Sequence, residues 1–267
     1  MELVNCIACG RTSEIFEYDE GKIVKLFLDK IPKSDIENEF YVSQNLFKEN
    51  FPVAKAYKII KYKKRYGIVY EKINGKTMLS YFSFNILTMI NLSKAFAKLQ
   101  NDFQKEINFS LHSYKKNLVY NINQTRLLNK KLKQQILDYT EKLPEGNLLC
   151  HGDFHPDNII ITDNGFVVID WLTASVGSKY ADFSRTVLLI RYGSIPKGKT
   201  IIENIMINSA RRTFLNKYIK KSNINIKEVN KWILPVAAGR LNESIPEKEK
   251  LTLLKLIEKN KNYLFNT

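Results

Sequence analysis

Apolar positions in the first 75 residues recur mainly every second residue, the period of a half-buried strand. The pattern predicts strands over 3–8, 15–18, 23–28, 55–62 and 66–72. Asp19-Glu20-Gly21 marks a turn between the second and third, and Asn74-Gly75 closes the segment. One helix interrupts the strands over 34–48, with Ser34 placed to cap it. After residue 76 the period becomes helical. Met89, Leu92, Phe96, Leu99 and Phe103 share one helix face, and Leu128, Leu132, Ile136 and Tyr139 share another. A β pattern returns over 147–170, where strands 159–162 and 166–170 flank Asp163-Asn164-Gly165, a strong hairpin signal. From Tyr180 onward the chain reads as helices. The result is an α+β chain of two parts: a strand-rich lobe over 1–75 and a helical lobe over 76–267 that carries a hairpin. There is no internal repeat and no linker rich in Gly, Pro or Ser.

Composition changes this picture little. The 267 residues are 44% hydrophobic and 26% charged, ordinary for a globular protein with a real core. Apolar runs such as 187–190 are far too short to span a bilayer. The N-terminus, MELVNC, has no basic stretch before an apolar one, so a cytoplasmic protein without a membrane partner is expected. A monomer or weak dimer is expected as well. The net charge of +15 (42 Lys and Arg against 27 Asp and Glu) admits a nucleic-acid partner in principle. No nucleic-acid motif accompanies it, so the lysines read as a solvated surface. The cysteines are three, Cys6, Cys9 and Cys150, too few for a disulfide framework. Cys6 and Cys9 form a CxxC, but a turn and a strand follow where a redox motif has a helix. Zinc would need two further ligands. A structural role is expected for the pair.

The chemistry concentrates around the hairpin, in His151-Gly-Asp-Phe-His-Pro-Asp-Asn158 followed by three isoleucines and, after the turn, by Phe166-Val-Val-Ile-Asp170-Trp171. A tight hairpin brings the segment before its first strand close to the end of its second. Asn158 and Asp170 could then share a hard cation through oxygen ligands. Asp153 would stand apart, able to accept a proton from a hydroxyl. His151 and His155 read as structural hydrogen bonders, and Trp171 as core.

This segment resembles the catalytic loop of the aminoglycoside phosphotransferase family, which has a protein-kinase-like fold and includes relatives such as choline and homoserine kinases. The family pattern, H-G-D-x-x-x-x-N, then an apolar strand and I-D-W, is met at His151, Gly152, Asp153, Asn158, Ile169, Asp170 and Trp171. The resemblance implies a bilobal fold with ATP or GTP between the lobes. It implies Asp153 as the catalytic residue and Asn158 and Asp170 as Mg2+ ligands. Upstream, the turn Gly10-Arg-Thr12-Ser13 resembles the one that covers the phosphates, through Thr12 and Ser13. Lys25 resembles the strand lysine on the α- and β-phosphates. Glu39 resembles its ion-pair partner, preferred over Glu37 by its spacing to Pro52. Glu71 and Ile73 resemble the hinge against adenine. Downstream, Asp182 in YADFSR resembles the segment that steadies the loop, while Arg240 and Glu243 lie in a stretch resembling substrate-side helices. Gln100 stands where many members carry a histidine.

The acceptor is open. Asp157, Asp182, Glu243 and Glu247 could meet a polycation such as an aminoglycoside. From Arg191 to the end, however, 16 Lys and Arg face 6 Glu and no Asp, which suits a neutral or weakly charged hydroxyl compound better. Antibiotic modification and a metabolic kinase of the choline, homoserine or sugar type both stand. A silent nucleotide-binding module or an RNA-associated protein is opposed by the intact Asp153, Asn158 and Asp170. A protein kinase is opposed by the eleven residues between Asp170 and Asp182, too few for an activation segment. One rival motif, G-x-x-x-x-G-K-T at 193–200, has no run of parallel strands after it and contains Pro196, so it reads as a chance match in a helix connection.

Overall fold

The computed structural model describes residues 3, 5–83, 85–193 and 198–264. In chain order the strands are β1 (Cys6–Cys9), β2 (Ser13–Asp19), β3 (Lys22–Phe27), β4 (Ala56–Tyr62), β5 (Arg65–Glu71), β6 (Lys76–Thr77), β7 (Leu148–Cys150), β8 (Ile159–Thr162), β9 (Gly165–Val168) and β10 (Ser175–Gly177). The helices are α1 (Lys33–Lys48), α2 (Ile86–Phe103), α3 (Tyr114–Gln124), α4 (Lys130–Lys142), α5 (Lys179–Tyr192), α6 (Ile201–Ser222), α7 (Ile226–Arg240) and α8 (Glu247–Asn260). None is long and apolar enough to cross a membrane among the described residues. The chain divides into two units, Met1–Ser80 with Pro156–Ala174, and Tyr81–His155 with Ser175–Thr267.

The first unit is built on a five-stranded antiparallel sheet in the order β1-β2-β3-β5-β4. Helix α1 covers it through Ile36, Glu39, Val42, Ser43 and Leu46, spaced three or four apart and therefore on one face. Glu39 is the one charged residue on this face, with Ser43 its other polar member. The helix starts one residue before the expected Ser34 cap. Pro32 occupies the cap position without a side-chain bond, and its fixed φ suits a helix entry.

A second, three-stranded sheet in the order β6-β8-β9 belongs to the same unit. Thus the hairpin folds with the N-terminal part, where the sequence had placed it in the helical part. The cause is pairing far along the chain. Strand β6 ladders with β8, Val168 donates its amide to the Pro52 carbonyl at 2.7 Å, and Val167 and Leu172 pack into the core of Phe27, Ile36 and Ile68. Gly75 permits this approach, since a Cβ there would lie 2.2 Å from the Ile161 carbonyl oxygen.

The outer strand β4 and its turn are rich in lysine. Lys55, Lys58, Lys61 and Lys63 lie over the rings of Tyr57, Tyr18, Tyr66 and Tyr62 at 5.3 to 5.8 Å. The four lysines are exposed, and each ammonium faces a ring as a cation–π contact.

The second unit is helical, with α7 at its centre against α3, α5 and α8, and α2 against α6. Trp232, Val236, Ala237 and Ala238 of α7 are buried with Ile122, Ile136, Leu188 and Leu253. A separate aromatic group joins Phe96, Phe154, Phe214 and Tyr218. Both expected helical stripes are present, although Leu128 packs from just outside α4. Strands β7 and β10 pair antiparallel, Cys150 opposite Ser175. The P-loop-like stretch ends in a capping box, in which Thr200 and Glu203 satisfy each other's backbone amides at the start of α6. Residues 194–197 of that stretch lie outside the described residues.

Gly75→Ala should therefore destabilise the first unit by about 1–3 kcal/mol through overpacking against backbone. Urea unfolding followed by Trp171 fluorescence in a Trp232→Phe background checks this. An unchanged midpoint would show that the β6–β8 approach is slack.

Candidate active site

The middle strand of the larger sheet, β3, carries Lys25 between Ile15 on β2 and Ile68 on β5. Its ammonium is buried, only 7% exposed, and needs compensation. Two carboxylates provide it. Lys25 Nζ donates to Glu39 Oε1 at 2.7 Å and Oε2 at 2.9 Å, and to Asp170 Oδ1 at 2.6 Å. Tyr70 donates its hydroxyl to Glu39 Oε1 at 3.0 Å. Glu37 is exposed and pairs with Lys33 instead. Burial alone would lower the Lys25 pKa, but the charges of Asp170 and Glu39 carry it above the ordinary lysine value. Glu39 is pushed upward, chiefly by burial, against the pull of Lys25. Two carboxylates sharing one ammonium leave a surplus negative charge.

The hairpin sets the other polar groups. Thr162 and Gly165 pair across the turn, and Ile169 donates its amide to the Asn158 carbonyl at 3.0 Å, so Asn158 lies beside the residue preceding Asp170. Asp170 holds φ = 65°, a left-handed backbone uncommon outside glycine, as the chain leaves the strand. Trp171 is buried behind it, its indole N–H on the Val168 carbonyl at 3.1 Å.

These groups line one cavity of about 480 Å3, entirely within the first unit. Lys25, Glu39, Asn158, Asp170 and Asp157 are in its wall, as are Ser13, Glu71 and Ile73. Thr12 is not among the lining residues; its carbonyl instead accepts the Leu28 amide at 2.9 Å. The amide oxygen of Asn158 and the carboxylate of Asp170 are the hard donors that Mg2+ takes, usually with phosphate oxygens and water completing the set. The donor chemistry fits that ion. Among the described residues no group of three His, Cys, Asp or Glu side chains forms a closed metal cage.

The loop of Asp153 belongs to the second unit and is held by its backbone. Gly152 has φ = 76°, open to glycine at no cost. Its amide donates to Asp182 Oδ1 at 2.8 Å, and its carbonyl accepts from Arg185 Nε at 3.0 Å. Asp182 and Arg185 stand three apart on α5 and so share a face. Asp182 is fully buried, and Gln100 and Gln104 donate to its Oδ2 at 3.1 and 3.0 Å. Gln100 also donates to Thr186 Oγ1 at 3.3 Å, so its amide is fully engaged inside the unit. Phe154 stacks on Phe96 at 4.3 Å and anchors the loop from the other side.

From Arg185 a chain of alternating charge runs inward. Arg185 makes a bidentate pair with Glu243 at 2.5 and 2.9 Å, Glu243 accepts from Arg240 Nη1 at 2.7 Å, and Arg240 Nε donates to Glu249 at 2.8 Å. Arg240 and Glu249 are almost fully buried. Hence Asp182 and Arg240, expected on the substrate side, are internal groups here, and Glu243 is engaged by two guanidinium groups. Glu247 is exposed in the first turn of α8.

Asp153 itself is partly exposed. Its Oδ2 lies 3.5 Å from His155 Nε2 and its Oδ1 lies 3.9 Å from Arg185 Nη2. Burial would raise its pKa, but the hydrogen bond and charge of His155, with Arg185 and His151, hold it well below the ordinary carboxylate range. Arg185, absent from the sequence-based site, had one signal in the sequence, a charge directly before the apolar run 187–190; the structure buries the helix from Ala181 to Ile190.

The model of the phosphotransferase enzyme family (APH) matches residues 15–208. No curated protein sequence matches. Among solved structures, the amicoumacin kinase hAmiN, in complex with AMP-PNP, Ca2+ and Ami, is 14% identical with a TM-score of 0.61, covering 99% of this chain and 89% of that one. Choline kinase from Cryptosporidium parvum Iowa II is 13% identical with a TM-score of 0.59, covering 98% and 89%. The streptomycin–ATP–APH(2'')-IIa ternary complex is 17% identical with a TM-score of 0.56, covering 98% and 92%. The fold is the protein-kinase-like α+β fold expected from the sequence.

Because the Asp153 pKa is depressed, the stability it contributes is present above the ordinary aspartate value and is lost only as pH falls through its own lower one. His155→Gln should raise the Asp153 titration midpoint toward the ordinary range, read by carbon NMR of the side-chain carboxyl. A midpoint unmoved by the substitution would remove His155 as the cause.

Proposed function

The chain belongs to the phosphotransferase enzyme family, and we propose that it moves the γ-phosphoryl group of ATP or GTP to a hydroxyl of a small molecule. The observation that carries this reading is the convergence of Lys25, Glu39, Asn158 and Asp170 on one cavity. Phosphoryl transfer needs little covalent help from the protein; it needs positioning and charge neutralisation. Lys25, kept protonated by its two carboxylates, supplies a fixed positive charge for the α- and β-phosphates. Asn158 and Asp170 would hold Mg2+, which would supply charge neutralisation for the phosphates. Ser13 closes over the phosphates, with Thr12 serving through its backbone, and Glu71 and Ile73 border the base.

Asp153 orients the acceptor hydroxyl. The new bond joins that oxygen to the γ-phosphorus, the bond to the nucleoside diphosphate breaks, and the hydroxyl proton passes to the Asp153 carboxylate. A carboxylate held so far below its ordinary pKa is a weak base. It aligns the hydroxyl from the start and takes the proton late, as a loose transition state allows. Asp182 and Arg185 serve as positioning residues through Gly152.

The acceptor is best matched by a neutral or weakly charged hydroxyl compound. Of the acids considered for a polycation, Asp182 is buried and Glu243 is neutralised by Arg185 and Arg240. Asp157 and Glu247 remain for an aminoglycoside-type acceptor, which keeps antibiotic modification beside the metabolic reading in the test.

Nucleoside-diphosphate release with Mg-ATP and Mg-GTP, run against aminoglycosides, macrolides, choline, amino-alcohols and sugars, checks the reading. Asp153→Asn should lower kcat by about 10²–10⁴-fold while nucleotide affinity holds. Asp170→Asn should remove the Mg2+-dependent part of nucleotide binding. Equal loss of turnover and affinity in Asp153→Asn would sink its role, and full activity in Asp170→Asn would remove it as a metal ligand.

A further inference from the structure

Strand β1 carries Cys6 and Cys9. Residues three apart in a regular strand point to opposite faces of a sheet. Here the register with β2 slips: Cys6 lies opposite Phe16, Ala8 opposite Ile15 and Cys9 opposite Glu14. Two residues of β1 are passed for one of β2, so a bulge sits at Ile7. The extra residue turns Cys9 to the same face as Cys6. The sulfurs meet at 3.1 Å, and both residues are exposed. Cys150, by contrast, is buried.

The place of the pair matters as much as its geometry. Cys9 and the next residue, Gly10, line the cavity that holds Lys25 and Asp170. Gly10 donates its amide to the Ser13 carbonyl at 2.8 Å, closing the turn between β1 and β2. Any shortening of β1 acts directly on this turn.

We propose that Cys6 and Cys9 are a reversible modification site, a dithiol that exchanges with small disulfides of the glutathione class, and that its closure weakens nucleotide binding in the adjoining cavity. The second half of this statement rests on the nucleotide reading of that cavity. The reaction balances without further oxidant. The Cys9 thiolate attacks one sulfur of the small disulfide and expels one small thiolate. Cys6 then gives up its proton and attacks the Cys9 sulfur, expelling the second. Two protein thiols and one disulfide become one protein disulfide and two small thiols. An S–S bond of about 2.05 Å requires the sulfurs to approach by about 1 Å more. That pull draws the ends of β1 together and shifts Cys9 and Gly10 in the wall of the cavity they line.

The experiment uses the full chain, reduced and then treated with excess glutathione disulfide. Intact mass and thiol alkylation read the bond, and calorimetric titration with Mg-ATP reads the cavity. Treated protein should lose two hydrogens in mass and keep one alkylatable thiol, Cys150, after unfolding. Its ATP affinity should fall about tenfold, the worth of one lost hydrogen bond to a charged ligand, and return with dithiothreitol. Cys6→Ser should bind ATP as the reduced chain does and should gain a glutathione adduct in place of the internal bond. Three alkylatable thiols after treatment would overturn the site. A disulfide that leaves ATP affinity within about twofold would overturn the coupling. Reduced protein that binds neither Mg-ATP nor Mg-GTP would overturn the nucleotide reading and the coupling with it, while the mass change still decides the disulfide on its own; if only GTP binds, the coupling is read with Mg-GTP.

Discussion

A buried ammonium must be answered by negative charge, and in the first unit that requirement organises three elements at once. Lys25 comes from the centre of a sheet, Glu39 from the helix laid over it, and Asp170 from a hairpin 145 residues further along the chain. Removing either carboxylate leaves a charge in low dielectric with half its partners, a costly state. The arrangement therefore explains two local irregularities together. A glutamate stands on the buried face of α1, and an aspartate adopts a backbone conformation that most residues avoid. Each is unfavourable in its own element and is retained by the ion it faces.

The second unit solves a related problem differently. Its loop is held through main-chain atoms, with one side chain of α5 on the Gly152 amide and another on its carbonyl. With Phe154 seated on Phe96 as a second anchor, Asp153 is left partly exposed while the peptide before it is fixed. The charges recruited for this do not stay isolated. Each guanidinium between Arg185 and Glu249 is flanked by a carboxylate, so the cost of burial is shared along the chain of alternating sign.

Much of this was legible in the sequence, and the illegible parts have a common cause. The hairpin was readable because Asp163-Asn164-Gly165 between two apolar runs is local information. Glu39 was separable from Glu37 by its spacing to Pro52, a short stretch of chain read through the family resemblance. Strands β6, β7 and β10, two or three residues each, are too short to show any period. The membership of the hairpin in the first unit depends on Pro52 and Gly75, far away in sequence. The common face of Cys6 and Cys9 depends on a bulge, which inverts the reading that a regular strand would give. The internal placement of Asp182 and Arg240 follows from helix packing, which a chain of charged letters does not announce. The one misleading motif, at 193–200, ends in ordinary helix-capping chemistry at Thr200 and Glu203.

The lysines of β4 bear on a different hazard. An outer strand offers a row of backbone donors and acceptors to any other chain that passes, and a flat aromatic surface beside it would strengthen the association. On this sheet the ammonium groups of exposed lysines lie over the tyrosine rings, at the open edge and just beside it. A second copy approaching edge to edge would meet the same charges on its own β4 and would have to dehydrate both rows. Part of the surplus of +15 can thus be understood as insulation: it keeps an unfinished sheet from being completed by a neighbour.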